Sequence, residues 1–544
     1  MNPFADSTVA ALLDTVAARH PAREAIVAGD ERVTFAAFRA RADQMAAGLA
    51  ALGLGRDDKV AIWMPNRPSW FVTQQACARI GAVVVALNPR YKAHELDYIL
   101  RDCDVRALVL TDHLASVDYF ETLHDVLPAL STSVPGEIAS ERFPALRWVI
   151  VDAEDEYPGC VRLRDVMDAG SERAAVTACT AQPDDVFALL YTSGTTSFPK
   201  GAMLTHRNAV PHAWETGETL RLTPDDRVLH SLPAAGTWGG VNIPLSAWSH
   251  GAALVLMEAF DPLRALMLME RERCTVWNAV DAMARAVLDH PDVGRYDRSS
   301  LRTGGFAEVG GGGHGLFDDV VDRIGIPLLY QPYGMTEVNA MALAHDLDEP
   351  RDSRALPGVW PAPGLDVRIA HPDTGAPCAR GEEGEMQFRG PAVTRGYYRK
   401  PDETAAAFTA DGWFRTGDLG VQDGRGRTIF RGRLKETLRI SHFMVAPGEI
   451  ESFLQSHPAV DQAFVVGVPD AVTNEAAVAY VIAKDGVPVT EEDVQRFCRG
   501  RIASYKIPKS VRFVADVPRT PSPHGDKVQR VKLREQALRE LGLA

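Results

Sequence analysis

Val186-Phe-Ala-Leu-Leu-Tyr-Thr-Ser-Gly-Thr-Thr-Ser-Phe-Pro-Lys-Gly201 reads as an apolar strand that runs straight into a glycine- and hydroxyl-rich loop ending on a lysine. A loop of this kind presents backbone N–H groups and Ser/Thr hydroxyls to an anion, and Lys200 adds a positive charge. It is not a Walker loop, because no Gly-Lys-Ser/Thr closes it. On composition alone the same residues also fit a plain flexible connection.

On either side, short β-branched runs alternate with helix-period stretches. Val60-Ala-Ile-Trp-Met, Ala82-Val-Val-Val-Ala, Ala107-Leu-Val-Leu and Arg147-Trp-Val-Ile-Val precede the loop. Ala253-Leu-Val-Leu, Cys274-Thr-Val-Trp-Asn and Ile326-Pro-Leu-Leu-Tyr follow it. This alternation predicts βαβ units in an α/β fold with two parallel layers, one from residues 1 to about 170 and one from about 185 to 330. From Pro357 to Arg433 the runs shorten and are punctuated by Gly and Pro, which predicts a small antiparallel unit. The last hundred residues read as a compact α+β body, with a boundary near Gly432 to Lys435.

Composition bounds the function. The 544 residues carry 58 basic and 72 acidic side chains, a net charge of -14, which offers no footprint for nucleic acid. The longest apolar run, Ile80 to Leu87, is too short for a membrane span of about 20 residues. The amino terminus lacks the basic and apolar pattern of a secretory signal. Seven cysteines, at 77, 103, 160, 179, 274, 378 and 498, form no CxxC pair. A reduced, cytoplasmic protein without zinc or disulfides is the expectation.

Further motifs follow the loop in order: Tyr333-Gly-Met-Thr-Glu337, Thr416-Gly-Asp-Leu419, Gly432-Arg-Leu-Lys435, Tyr505-Lys-Ile-Pro508 and Pro518-Arg-Thr520 through Lys527. Alone, each is an ordinary turn or loop. Together, over nearly the whole chain, they resemble the acyl-adenylate-forming superfamily of acyl-CoA ligases, peptide-synthetase adenylation domains and luciferases. The resemblance implies a large N-terminal domain, residues 1–432, of two parallel α/β layers plus a small β-barrel-like unit. Residues 433–544 would form a small mobile α+β lid.

It also assigns roles. Nucleotide binding falls on Thr192, Ser193, Gly194, Thr195, Thr196 and Lys200, on Tyr333 and Thr336, on Asp418 for the ribose, and on Arg433. Mg²⁺ falls on Glu337 and Thr196, the hinge on Lys435, and the α-phosphate and substrate carboxylate on Lys527. Arg439, Ser441 and His442 lie where coenzyme A would pass, and Trp238, Gly239, Phe306 and Gly334 where the acid would sit. The implied substrates are a carboxylic acid, ATP and CoA. No protein nucleophile is needed, because positioning and charge neutralisation by Mg²⁺, Lys200 and Lys527 carry the first step. His206 and His314 are read as solvated loop histidines, not bases.

Departures from the superfamily pattern cluster. Ser197 replaces a glycine, and Pro233-Ala-Ala-Gly236 ends on glycine where the family commonly has histidine, which predicts a roomier apolar pocket for a large or branched acid. Ser441 and His442 replace glycines, and Met444 replaces an amide that could donate a hydrogen bond. The segment Thr520-Pro-Ser-Pro-His-Gly-Asp-Lys527 is about three residues longer than usual, with Asp526 beside the lysine.

One hydrogen bond to a charged group is worth about 1.5–3 kcal/mol. A cation on a transferring phosphoryl group is worth about three to five decades of rate. A displaced Lys527 would therefore outweigh the loss at Met444. Two readings of these changes stand: an enzyme that takes preformed acyl-adenylate from a companion adenylating enzyme, and a complete two-step synthetase. A stand-alone enzyme loading a carrier protein and a catalytically dead binding protein are the further alternatives. No carrier domain is fused, and the retained Lys200, Glu337, Asp418, Arg433 and Lys527 argue against a dead relative.

Overall fold

The computed structural model describes residues 2–115, 117–172, 181–192, 199–307, 316–372, 374–434, 438–441, 443–445, 447–484, 486–520 and 527–543. Among these residues, two large sheets form the body. One runs, edge to edge, Lys200–Thr205, Val186–Thr192, Val83–Ala86, Lys59–Trp63, Val105–Thr111, Trp148–Asp152 and Val161–Arg162. The other runs Ala279–Val280, Thr303–Ala307, Val276–Trp277, Arg227–His230, Ala253–Leu256, Glu24–Ala28 and Glu31–Thr34, with Leu328–Tyr330 also on Thr303–Ala307. Pairing is parallel except at Val186–Thr192 with Lys200–Thr205 and at Glu24–Ala28 with Glu31–Thr34.

The layers are not the two successive halves that the order of strands in the chain suggests. Glu24–Ala28 joins the later strands, pairing with Ala253–Leu256, while Val186–Thr192 returns to pair with Val83–Ala86. The chain thus crosses between layers twice. The fold therefore holds Thr192 and Lys200, the residues that flank the glycine-rich loop, at one edge of the sheet that contains Val83–Ala86.

Central strands such as Val83-Val-Val-Ala86 are buried at every position, which is why they read as unbroken β-branched runs. Helix Pro68–Ile80 starts on a proline, stops at Gly81 with φ 75°, and is buried at every residue from Trp70 to Ile80. A helix buried all round belongs between two layers. Two of its polar residues are paired: Arg79 meets Asp14 at 2.8 Å and Asp43 at 2.7 Å, and Gln74 donates to the Gly240 carbonyl at 2.8 Å. One apolar cluster joins Ile62 of one sheet to Leu254 of the other.

A four-stranded antiparallel sheet follows, Asp366–Ala370, Glu383–Arg389, Phe414–Gln422 and Thr428–Arg433 in that order. Beyond it a five-stranded sheet contains Leu438–Ile440, Phe443–Val445, Val460–Asp470, Asn474–Ala483 and Ser510–Phe513. Alternation along its strands gives it two apolar faces. Val465 and Ala479 face helices Pro447–Gln455 and Glu491–Cys498, whereas Val466 and Val478 face helix Arg530–Glu540.

Candidate active site

The site grows from the hairpin opened by Val186–Thr192. Thr192 is paired across the sheet with Lys200, so the two ends of the glycine-rich loop are held side by side. The outer edge of Lys200–Thr205 then pairs with the segment around Tyr397, through Met203 N–H to the Gly396 carbonyl at 2.9 Å and Tyr398 N–H to the Gly201 carbonyl at 2.8 Å. Lys200 Nζ lies 5.1 Å over the Tyr397 ring.

These strands converge on Glu337, which is buried in the short 3₁₀ turn Thr336–Val338. Its Oε1 accepts from the Thr192 hydroxyl at 3.3 Å and from the Tyr397 hydroxyl at 2.9 Å. Burial, then the Glu337 charge, hold the Tyr397 phenol above its ordinary range, so it stays a donor. The Glu337 carbonyl accepts the Thr394 N–H at 2.6 Å, which locks the turn to the same segment.

The same motif reaches the antiparallel unit. The Tyr333 hydroxyl donates to Asp418 Oδ2 at 2.6 Å, and its ring stacks on Phe430 with centroids 5.4 Å apart. Asp418 pairs across the sheet with Arg433, and its N–H donates to the Thr416 hydroxyl oxygen at 2.9 Å. Gly334, which follows Tyr333, is exposed, and a β-carbon there would stand 1.8 Å from the Ala340 carbonyl oxygen, so only glycine fits.

Next to this motif, Trp238 opens a π-helical turn, Trp238–Asn242. Its ring lies 3.0 Å from where a β-carbon on Gly305 would stand, with Asn278 and Pro332 on the same side. Trp238 and Pro332, the residue before the Tyr333 motif, thus meet around Gly305. Phe306, by contrast, is fully buried, its ring 6.3 Å from Phe317. Gly239 is also buried, and a β-carbon there would stand 2.3 Å from the Pro233 carbonyl oxygen, so it packs the turn onto the Pro233 loop.

The chain matches the family model described as AMP-binding enzyme over residues 13–398 and the AMP-binding enzyme C-terminal domain over residues 449–523. It belongs to the AMP-binding enzyme family. It is 37% identical over 549 residues to YngI of Bacillus subtilis (strain 168), a predicted acyl-CoA synthetase, covering 99% of this chain and 98% of that protein. Among solved structures it resembles o-succinylbenzoate CoA synthetase MenE of Bacillus subtilis bound with the product analogue OSB-NCoA, with TM-score 0.80, 27% identity and coverage of 96% and 98%. It also resembles ATP-bound MatB of Rhodopseudomonas palustris, with TM-score 0.66, 30% identity and coverage of 97% and 98%. The chain is an AMP-forming acid–thiol ligase with the α/β fold of the adenylate-forming superfamily.

In this AMP-binding enzyme the structure brings Thr192, Lys200, Tyr333, Thr336, Glu337 and Asp418 into one region. Ser193, Gly194, Thr195, Thr196, Lys435 and His442 lie outside the described residues, as does His314. Arg433, Arg439 and Lys527 are placed by their backbones alone, Arg439 opposite Met444 and Lys527 opposite Thr520. Thr520 and Lys527, at the two ends of the longer segment, therefore stand side by side. Ser441 has φ 55°, the left-handed conformation that glycine adopts without strain, and its N–H donates to the Thr473 carbonyl at 2.6 Å.

One reading changes, and one residue of the site goes unread in the sequence. His206 is not a solvated loop histidine: it is 1% exposed, its Nδ1 accepts the Val9 N–H at 3.1 Å, and burial holds its pKa at about 4. Tyr397 carried no signal in the sequence, because Gly396-Tyr-Tyr-Arg399 has no motif spacing and acts only through pairing with a distant strand. No described helix is long and apolar enough to cross a membrane.

Proposed function

We propose that the enzyme converts a bulky, largely apolar carboxylic acid to its CoA thioester through an acyl-adenylate. A carboxylate oxygen attacks the α-phosphorus of ATP, pyrophosphate leaves, and the acid becomes a mixed anhydride with AMP. The thiol sulfur of CoA then attacks the acyl carbon, AMP leaves with the anhydride oxygen, and the thiol proton passes to solvent. The observation that carries this reading is the meeting of Thr192, at the mouth of the glycine-rich loop, with Glu337 of the Tyr333 motif. An anion-binding loop, a buried carboxylate and a second buried carboxylate at Asp418 together suit a nucleotide that carries phosphates at one end and a ribose at the other.

On this reading Lys200 and the loop hold the phosphates, Tyr333 and Thr336 hold the adenine and α-phosphate, and Asp418 takes the ribose hydroxyls. The oxygen donors around Glu337 fit a hard cation, and Glu337 with Thr196 would hold Mg²⁺. When bound, Mg²⁺ would neutralise phosphate charge. Residues from Arg433 onward act as a lid, hinged near Lys435, that presents Lys527 for the first step and the Arg439–His442 region for the second. Trp238 beside Gly305 is the wall of the acyl pocket, and the absence of side-chain bulk at Gly236 leaves room for a large acid.

The longer segment between Thr520 and Lys527, with Asp526 next to the lysine in the sequence, favours a weakened first step fed by a preformed adenylate. The test is a panel of apolar acids, each offered free with ATP, Mg²⁺ and CoA and as its synthetic adenylate with CoA. Thioester from the adenylate, with little substrate-dependent pyrophosphate release from the acid, supports the weakened first step. Robust pyrophosphate release makes the enzyme a complete two-step synthetase. No thioester from any acid or adenylate overturns the reading.

A further inference from the structure

The N-terminal turn of helix Ala93–Asp102 makes a contact that the reaction scheme above does not use. Glu95 closes the start of this helix, its Oε2 accepting the Lys92 N–H at 3.0 Å. Its other oxygen, Oε1, reaches more than four hundred residues along the chain. It accepts the Ala503 N–H at 3.1 Å and faces Lys506 Nζ at 3.3 Å. Both side chains are buried, at 2% and 6% exposure. Lys506 Nζ also lies 5.6 Å over the Tyr91 ring, and the His94 ring meets Phe453 edge-on at 5.1 Å. The helix runs back to the active site, since its Asp102 accepts from the hydroxyl of Tyr191, which neighbours Thr192, at 2.8 Å.

The face of the C-terminal sheet that makes this contact is defined. Phe453 and Tyr505 belong to the apolar layer that contains Val465 and Ala479. Val528, next to Lys527, and Leu533 belong to the layer on the opposite side of the same sheet. Glu95 therefore grips the lid by the side away from the segment that carries Lys527. A buried ion pair is stable only with both partners and their extra hydrogen bonds in place, because a lone buried charge is costly. The contact is all-or-none with respect to lid orientation.

We infer that Glu95 and Lys506 are positioning residues for thioester formation, holding the lid in the orientation used by the thiol and not in the one that brings Lys527 to the acid. This rests on the reaction proposed above. Glu95→Gln keeps the helix cap and the shape but removes the charge, and Lys506→Met keeps the apolar stem. The full-length variants are assayed for each half-reaction separately. Thioester formation from synthetic acyl-adenylate and CoA in a single turnover is expected to fall at least tenfold. Acid-dependent pyrophosphate release, or adenylate affinity if the parent releases little, stays within twofold.

The exchange Glu95→Lys with Lys506→Glu is expected to restore part of the transfer rate. Equal losses in both half-reactions, or no loss in either, would overturn the inference. Amide hydrogen exchange at Ala503 and along Ala93–Asp102 gives a readout independent of turnover. Exchange at least tenfold faster in both single variants supports the latch, and unchanged protection overturns it. An inactive parent enzyme with a latch that responds in this way would instead refute the proposed reaction.

Discussion

Tyr333 and Asp418 lie 85 residues apart in the chain and share a buried hydrogen bond of 2.6 Å, which ties the loop after strand Leu328–Tyr330 to the antiparallel unit. The bond orients the carboxylate assigned to the ribose before any nucleotide arrives. Tyr333→Phe removes a donor to a charged acceptor, worth about 1.5–3 kcal/mol. Denaturant unfolding should show a loss of about that size, and calorimetry an AMP affinity lower by about tenfold. Unchanged AMP affinity would mean that Asp418 is held by its other neighbours alone.

Gly334→Ala tests how closely the Tyr333 motif is wound. The new β-carbon would stand 1.8 Å from the Ala340 carbonyl oxygen, a backbone atom in a turn whose Asn339 and Ala340 already have φ 56° and 74°. The turn must move and take Glu337 with it. Misplacement by about 1 Å can cost about 100-fold in rate, so AMP-forming activity should fall by about that factor while the stability loss stays within about 1–3 kcal/mol. Paired activity and unfolding measurements separate the two effects.

Ser441→Gly runs in the opposite direction. A non-glycine residue in the left-handed region costs about 1–2 kcal/mol, and glycine loses about 0.5–1 kcal/mol in chain entropy, so the variant should gain up to about 1 kcal/mol. Ser441 has φ 55°. Ser441→Val, with a branched β-carbon, should lose more than about 1 kcal/mol. Urea unfolding of the two variants should move the midpoint in opposite directions, and a shared direction would refute the strain.

Acid should destabilise the body through its buried histidines. His230 is fully buried with no hydrogen-bond partner on either ring nitrogen among the described residues, and burial lowers its pKa from 6.5 to about 3. The unfolded ring takes a proton near pH 6.5 and the folded ring only near pH 3. The stability of the neutral ring is therefore fully present above about pH 6.5 and is lost as pH falls toward 3. At pH 5 the loss is about 2 kcal/mol for this residue. His230→Leu should shrink the stability difference between pH 7 and pH 5 by about that amount, and an unaltered difference would assign the acid sensitivity elsewhere.

Much of the fold is legible without coordinates. Val83-Val-Val-Ala86 reads as a buried strand because it is apolar on both faces, and Pro68 and Gly81 mark the two ends of a helix by their backbone preferences. The ordered motifs from Thr192 to Lys527 identify the superfamily because each is a local pattern that survives in the linear text. Partners are different. Tyr397 reaches Glu337 only because strand Lys200–Thr205 pairs with the segment around it, and no spacing within Gly396-Tyr-Tyr-Arg399 encodes that pairing.

The division follows from range. Periodicity, caps and turn chemistry act over a few residues, and so the α/β class, the run of nucleotide motifs and the substitution of Ser441 for glycine are properties of the sequence itself. Which strands share a sheet, the burial of His206, and the grip of Glu95 on Lys506 depend on contacts between segments that are brought together by apolar burial, which is not directional. Only the folded chain decides them.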